Sequence, residues 1–397
     1  MEYLYLYLFL LVNGLFLVLL VDGLSIIHDY RTSRKAADQG DAEAQMALSV
    51  IYSLGWGVRK NINESLKWMR KAADQGHAKA QGCLGLAYTN GEGNLDKDYD
   101  EAFKWYRKAA DQGDSCAQYN LCWSYIVLKD GKEAVKWCLK AADQGEIDAY
   151  DLLSQIYDFG LSVPKNGKEA VKWYLKAAEQ GHMEAQYILA LKYHLGEDVT
   201  ENLDEAVKWY LKAAEQGHME AQYFLASIYS TDKNHSAAYN WYLKAAEQGH
   251  EDAQSNLGFM FAYGEGVKED YKQAVFWYRK AADQGYEGGQ YNLGVMYYQG
   301  FGVDKDIKEA IRLYHLAAEQ GHGGAQIDLG HIYSNGEFVS KDSKEAFKWY
   351  QKAANQDYFE AQLSLGDMYA KGIGVDVDIK KAKYWLRTAD KNDVKSC

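Results

Sequence analysis

The sequence predicts an all-α fold, a right-handed α-solenoid of about ten two-helix repeats. Three observations carry that prediction. A pair of alanines followed by an acid or amide recurs ten times, as in Ala72-Ala73-Asp74-Gln75-Gly76 and Ala213-Ala214-Glu215-Gln216-Gly217, mostly at steps of 36 residues. Aligned on those pairs, every unit has leucine at one position, from Leu48 and Leu84 to Leu365. A small residue, almost always alanine, precedes that leucine by four, and an aromatic follows it by four, so small, large and aromatic side chains stack at i, i+4, i+8 on one helical face.

In chain order, residues 1–24 form an apolar segment. From Tyr3 to Val21 there are 19 residues without a charge, long enough to span a hydrocarbon core of about 30 Å as a helix. The stretch lacks the positive start of a signal peptide, yet Val21-Asp22-Gly23 is a tolerable cleavage pattern, so both a cleaved signal and an uncleaved anchor stay open, with a buried capping helix as the minor third reading. The expected location is secretory or exported in the first case and membrane-anchored in the second, with Arg31, Arg34 and Lys35 placing an anchored array on the cytosolic side. Residues 25–40 read as a degenerate half repeat ending in Ala36-Ala37-Asp38-Gln39-Gly40. The array proper covers 41–393, in units 41–76, 77–113, 114–145, 146–181, 182–217, 218–249, 250–285, 286–321, 322–357 and 358–393.

Each unit opens with helix A, which carries the leucine grid. The residue after each leucine is small (Ser49, Gly85, Cys122 through Gly366), and glycine in mid-helix costs about 1 kcal/mol against alanine, so another backbone is expected close by. Gly-x-Gly turns such as Gly300-Phe301-Gly302 end helix A with residues that tolerate positive φ. Helix B reads like Glu205 to Ala214, with tryptophan at one point in nine units and Leu313 in the other. Units 114–145 and 218–249 are four residues short. The last helix B, around Tyr384 to Lys391, is more polar, as a terminal cap facing water requires. No internal domain boundary is read, since a stack buries each apolar face on its neighbours and escapes the size limit of a single core.

These residues resemble the Sel1-like repeats, relatives of the tetratricopeptide repeats. Ala-Gln-x-x-Leu-Gly-x-x-Tyr, Gly-x-Gly-Val and Lys-x-x-x-Ala-Ala-x-x-Gly carry the likeness, best kept from Ala253 to Gly285 and from Gly289 to Gly321. The resemblance implies a helical scaffold or adaptor with no shared catalytic residues, whose groove is lined by helix A.

The chain has 56 acidic and 44 basic residues, a formal charge of −12, and its bases stand beside acids in helix B, which argues against nucleic acid as a partner. Cys83, Cys116, Cys122, Cys138 and Cys397 show no C-x-x-C pair and read as free thiols. His77, His182, His218, His250 and His322 each follow a Gln-Gly turn, where filling the turn is favoured over a metal ladder. No cofactor, metal or catalytic set emerges, and the chain is read as a non-enzyme. A hydrolase on a repeat scaffold is the minor alternative, with Cys116 and His331 as the groups to test.

What varies between units is a strip on helix A, two residues before the small position and one after it. By resemblance, Asn120, Asn256 and Asn292 would clamp a peptide backbone and Trp123 and Phe259 would anchor apolar side chains, with Asp328 and His331 at the matching positions of the ninth unit. The same asparagines would alternatively tie helix A to its neighbour. The expected function is a non-catalytic scaffold that binds a protein or peptide partner along its concave surface, alternatively an exported or membrane-anchored regulatory adaptor. Glu169 to Tyr187 repeats as Glu205 to Tyr223 without a change, a recent duplication that argues against a unique site there.

Overall fold

The computed structural model describes residues 23–336 and 338–396, with the side chains of 30–336 and 338–390. The apolar segment Tyr3 to Val21 and Cys397 lie outside the described residues. Among the described residues there are 21 helices and no strand, and no helix is long and apolar enough to cross a membrane. The chain divides into two compact units, one through Glu201 and one from Asn202. The first holds α1 (Gly23–Asp38), α2 (Ala42–Leu54), α3 (Ile62–Asp74), α4 (Ala78–Asn90), α5 (Tyr99–Asp111), α6 (Ser115–Val127), α7 (Gly131–Asp143), α8 (Ile147–Phe159), α9 (Gly167–Glu179) and α10 (Met183–Leu195). The second holds α11 (Leu203–Glu215), α12 (Met219–Thr231), α13 (His235–Glu247), α14 (Glu251–Tyr263), α15 (Tyr271–Asp283), α16 (Glu287–Gln299), α17 (Ile307–Gln320), α18 (Gly323–Asn335), α19 (Ser343–Ala354), α20 (Phe359–Lys371) and α21 (Ile379–Ser396). Even numbers are A helices; odd numbers from α3 on are B helices.

Local chemistry sets the helix ends. Each B helix from α3 to α19 starts behind an Asn or Asp whose side chain accepts a first-turn amide, as Asp306 does from Glu309 N at 3.1 Å. A helices of the full-length repeats end on glycine in the left-handed region, for instance Gly300 at φ 77°. The four missing residues of the short units come out of the A–B connection: three residues join α6 to α7, against seven between α8 and α9.

The five turn histidines do more than fill space. Each is the N-cap of its A helix, and His322 Nδ1 accepts from Ala325 N at 3.1 Å, a task that Asp41 and Asp114 perform elsewhere. An imidazole can accept there only while Nδ1 is unprotonated. Burial pushes the His322 pKa down, against a smaller upward pull from Glu287. A depressed folded pKa means that the stability present above the unfolded value, about 6.5, is lost as the pH falls from there through the folded value. The His322→Asp variant should therefore lose less stability than the parent between about pH 7.5 and about pH 5.5, read as the shift in urea midpoint. An equal shift in both would show that this cap does not titrate.

The grid leucines are 0–4% exposed. Eight B-helix tryptophans carry a lysine three residues on with its ammonium over the ring, from Lys71 over Trp68 at 4.0 Å to Lys280 over Trp277 at 4.9 Å. The small residue beside the leucine answers first to a side chain, in most repeats a ring, with the expected backbone approach behind it: a methyl group at Gly85 would lie 2.8 Å from the Tyr106 ring and 3.2 Å from Ala102 O. A methyl group at Gly258 would lie 2.5 Å from the Tyr278 ring, and at Gly330 2.6 Å from Tyr350, in each case the residue after tryptophan on helix B of the same repeat.

The Gln residues of the two recurring motifs meet in an amide ladder between repeats. In the first unit Gln112 Nε2 donates to Gln81 Oε1 at 2.7 Å and Gln81 Nε2 to Ala73 O at 3.0 Å; in the second, Gln284 donates to Gln254 at 2.8 Å and Gln254 to Ala246 O at 3.0 Å. The A-helix amides are 0–5% exposed, so each bond removes a polar group that would otherwise be buried unpaired. In the fourth repeat Tyr150 replaces the glutamine and stacks on Trp173 at 6.0 Å. A second junction seats the A–B loop of several full-length repeats on the start of the preceding B helix. There one side is glycine: Gly302 in the loop against the Tyr271 carbonyl, or Gly131 and Gly167 on the helix against Ser162 and Asp198 in the loop.

Candidate partner-binding surface

Repeat geometry decides which helix A residues remain available. Leucine, the small residue and the apolar side chain three after the leucine face helix B; the positions on either side of them form a stripe on α14 at Asp252, Asn256, Phe259 and Tyr263. Phe259 is 42% and Tyr263 68% exposed, and their rings touch at 4.4 Å. Asn256 is half-buried beside them with no side-chain hydrogen-bond partner among the described residues.

Neighbouring A helices of the second unit are bridged along this stripe. Asn292 Nδ2 on α16 donates to Ser255 Oγ on α14 at 3.4 Å, Tyr291 on α16 and Asp328 on α18 are near enough to shift each other's pKa, and His331 Nε2 lies 3.3 Å from Glu360 Oε1 on α20. Five of the sequence-derived residues, Asn256, Phe259, Asn292, Asp328 and His331, thus belong to one contiguous strip. Burial raises the Asp328 carboxyl pKa, with Tyr291 and then His331 opposing it.

In the first unit the matching pair sits on α6. Asn120 Nδ2 donates to Cys116 O within its own helix at 2.9 Å, and Trp123 Nε1 to Tyr119 Oη at 2.9 Å, leaving the indole 41% exposed. Cys116 is exposed on its helix, yet the chain packed around its thiol, and then Glu146, pushes its pKa up to about 11, which makes it a poor nucleophile. Cys83, Cys116, Cys122 and Cys138 are free, and Cys122 faces Cys138 at the place where other repeats set a small residue against tyrosine.

A family profile described as Sel1 repeat matches ten consecutive stretches, 42–77, 78–114, 117–146, 147–182, 184–218, 220–250, 251–286, 288–322, 324–358 and 359–389. The chain belongs to the Sel1 repeat family. Among solved structures it is similar to a protective antigen present in uropathogenic Escherichia coli strains that displays an SLR fold, at 35% identity and TM-score 0.84, covering 91% of this chain and 79% of that one. A Sel1 repeat protein from Oxalobacter formigenes is 30% identical over 91% of this chain and 86% of its own, with TM-score 0.36. Comparison with curated proteins finds no match. Sel1 repeats are generally protein-interaction scaffolds and typically non-catalytic.

One constellation departs from the Sel1 pattern. Lys192 on α10 stands where other repeats place Ile, Met, Ala or Ser, and its side chain is 5% exposed. Its ammonium donates to Asp158 Oδ1 on α8 and to Asp198 Oδ2 in the following loop, each at 3.0 Å, and Tyr174 Oη donates to Asp158 Oδ2 at 3.3 Å. Burial alone would lower the Lys192 pKa, but the two carboxylates outweigh it and hold the ammonium above the usual lysine value. Asp198 takes φ 66° where most full-length repeats have glycine, and Gly167 leaves room for its carboxylate. The signal was in the sequence as three departures from the grid, at 158, 192 and 198, spread over two repeats.

Proposed function

We propose that the protein is a non-catalytic interaction scaffold that holds an extended peptide or a helix along its A helices. Asn256, Phe259 and Asn292 are the central contacts, with Asp328 and His331 continuing the strip and Asn120 with Trp123 offering a second foothold. The observation that carries this reading is the contrast on helix A between buried positions fixed in every repeat and a bridged, part-exposed stripe whose side chains change from repeat to repeat. Aromatic rings that stay accessible beside amides are the usual material of binding hot spots. The array is proposed to be exported or anchored, on the strength of the uncharged run Tyr3 to Val21 and of a relative that is a protective antigen; N-terminal sequencing of the mature protein tests this.

Full-length protein panned against a displayed library of random peptides should enrich binders. Replacing Asn256, Phe259 and Asn292 together by alanine should abolish their capture with the circular dichroism spectrum unchanged. Undiminished capture by a helical variant rejects the groove.

A further inference from the structure

The A helices of the second unit carry far more acid than base. On α12, α14, α16, α18 and α20 there are seven carboxylates and, among the described residues, one lysine, Lys371, and no arginine. The B helices of the same unit behave differently, each first-turn glutamate meeting a cation one turn on: Glu205 with Lys208 at 2.9 Å, Glu309 with Arg312 at 2.6 Å, Glu345 with Lys348 at 2.7 Å. On the A side Asp367 alone has such a partner, Lys371 at 2.7 Å; the other paired carboxylates meet hydroxyls and imidazoles. Tyr286 Oη donates to Asp252 Oδ1 at 2.5 Å, Tyr291 stands near Asp328, and His250 and His331 lie 3.2 and 3.3 Å from Glu220 and Glu360. Tyrosines satisfy a carboxylate's lone pairs without cancelling its charge.

We infer that the occupant of this helix face is a basic, apolar peptide, an extended segment in which lysines or arginines alternate with hydrophobic side chains. This rests on the groove reading above and names the partner's chemistry. Two features select it. The uncompensated carboxylates Asp252 and Asp328 give the strip a negative potential, which steers a cationic partner in and penalises an acidic one. The accessible Phe259 and Tyr263 rings, in contact at one end of the strip, accept an aliphatic stem or a guanidinium over their faces.

The test uses the full-length chain and the peptides enriched from a random displayed library, remade with a fluorescein label for anisotropy. Enriched sequences should hold more Lys and Arg than the unselected library. Binding should weaken about tenfold when Asp252 and Asp328 become asparagine and Glu360 becomes glutamine together, and change less than about twofold when Glu205, Glu309 and Glu345 all become glutamine. Enrichment of neutral or acidic peptides overturns the inference, as do equal losses in both triple variants. Neutral binders that are lost on the Asn256, Phe259 and Asn292 alanine variant would leave the groove standing without its basic partner; failure of that variant to matter would remove the groove itself.

Discussion

Replacing Lys192 by methionine is expected to cost the first unit about 3–5 kcal/mol, the usual penalty for removing one member of a buried, hydrogen-bonded charge group. Methionine fits the space, since Met260 and Met296 occupy the equivalent position. The loss comes from two carboxylates, Asp158 and Asp198, left facing each other with only Tyr174 to offer a proton. Returning all three positions to the repeat pattern, Lys192→Met with Asp158→Ala and Asp198→Gly, should recover the stability of the parent or exceed it, because well-packed apolar groups commonly replace buried ion groups without loss. Urea unfolding followed by circular dichroism, with hydrogen exchange on α8 and α10, reads both variants. A single variant as stable as the parent would show that the ammonium contributes nothing there.

The Gly302→Ala variant should lose about 2–5 kcal/mol from the second unit. Glycine sits at φ 68°, where a side chain costs about 1–2 kcal/mol, and the added methyl would lie 2.3 Å from the Tyr271 carbonyl oxygen. Relieving that contact means shifting backbone on one side of a repeat junction, an overpacking cost of about 1–3 kcal/mol. Gly321 supplies the control, with φ 109° and nothing within 4 Å of the place a methyl group would take, so Gly321→Ala carries the backbone cost alone. Equal losses in the two variants would mean that the loop seat is soft.

The fold was legible because its evidence repeats. Each Leu of the grid, each alanine pair and each Gln-Gly turn is an independent statement of the same environment, and burial at 0–4% for ten leucines follows from that environment. Contact partners were less legible. Gly258 announces that something lies close, but a tyrosine ring and a backbone demand the same small residue, so the sequence could not separate them. The strip was found from its variability, while its bonding was hidden: Asn120 turns back on its own helix and Asn292 reaches Ser255, roles that depend on rotamer and neighbour. Lys192 escaped notice because its partners stand 34 residues before it and 6 after it, so that no single repeat displays the group whole.

The seat between loop and preceding helix also bears on how such a chain can lengthen. At a junction with glycine in the loop, almost any helix start is admitted, and a whole repeat can be copied in or deleted without refitting its neighbours. The pairing of Gly167 with Asp198 admits one order only, for Asp198 needs both that bare helix start and Lys192. The copied stretch Glu169 to Tyr187 stops short of Gly167 on one side and of Lys192 on the other. An exchange of that span, which runs from helix B of one repeat into helix A of the next, leaves in place a keyed joint that fixes which repeat follows which.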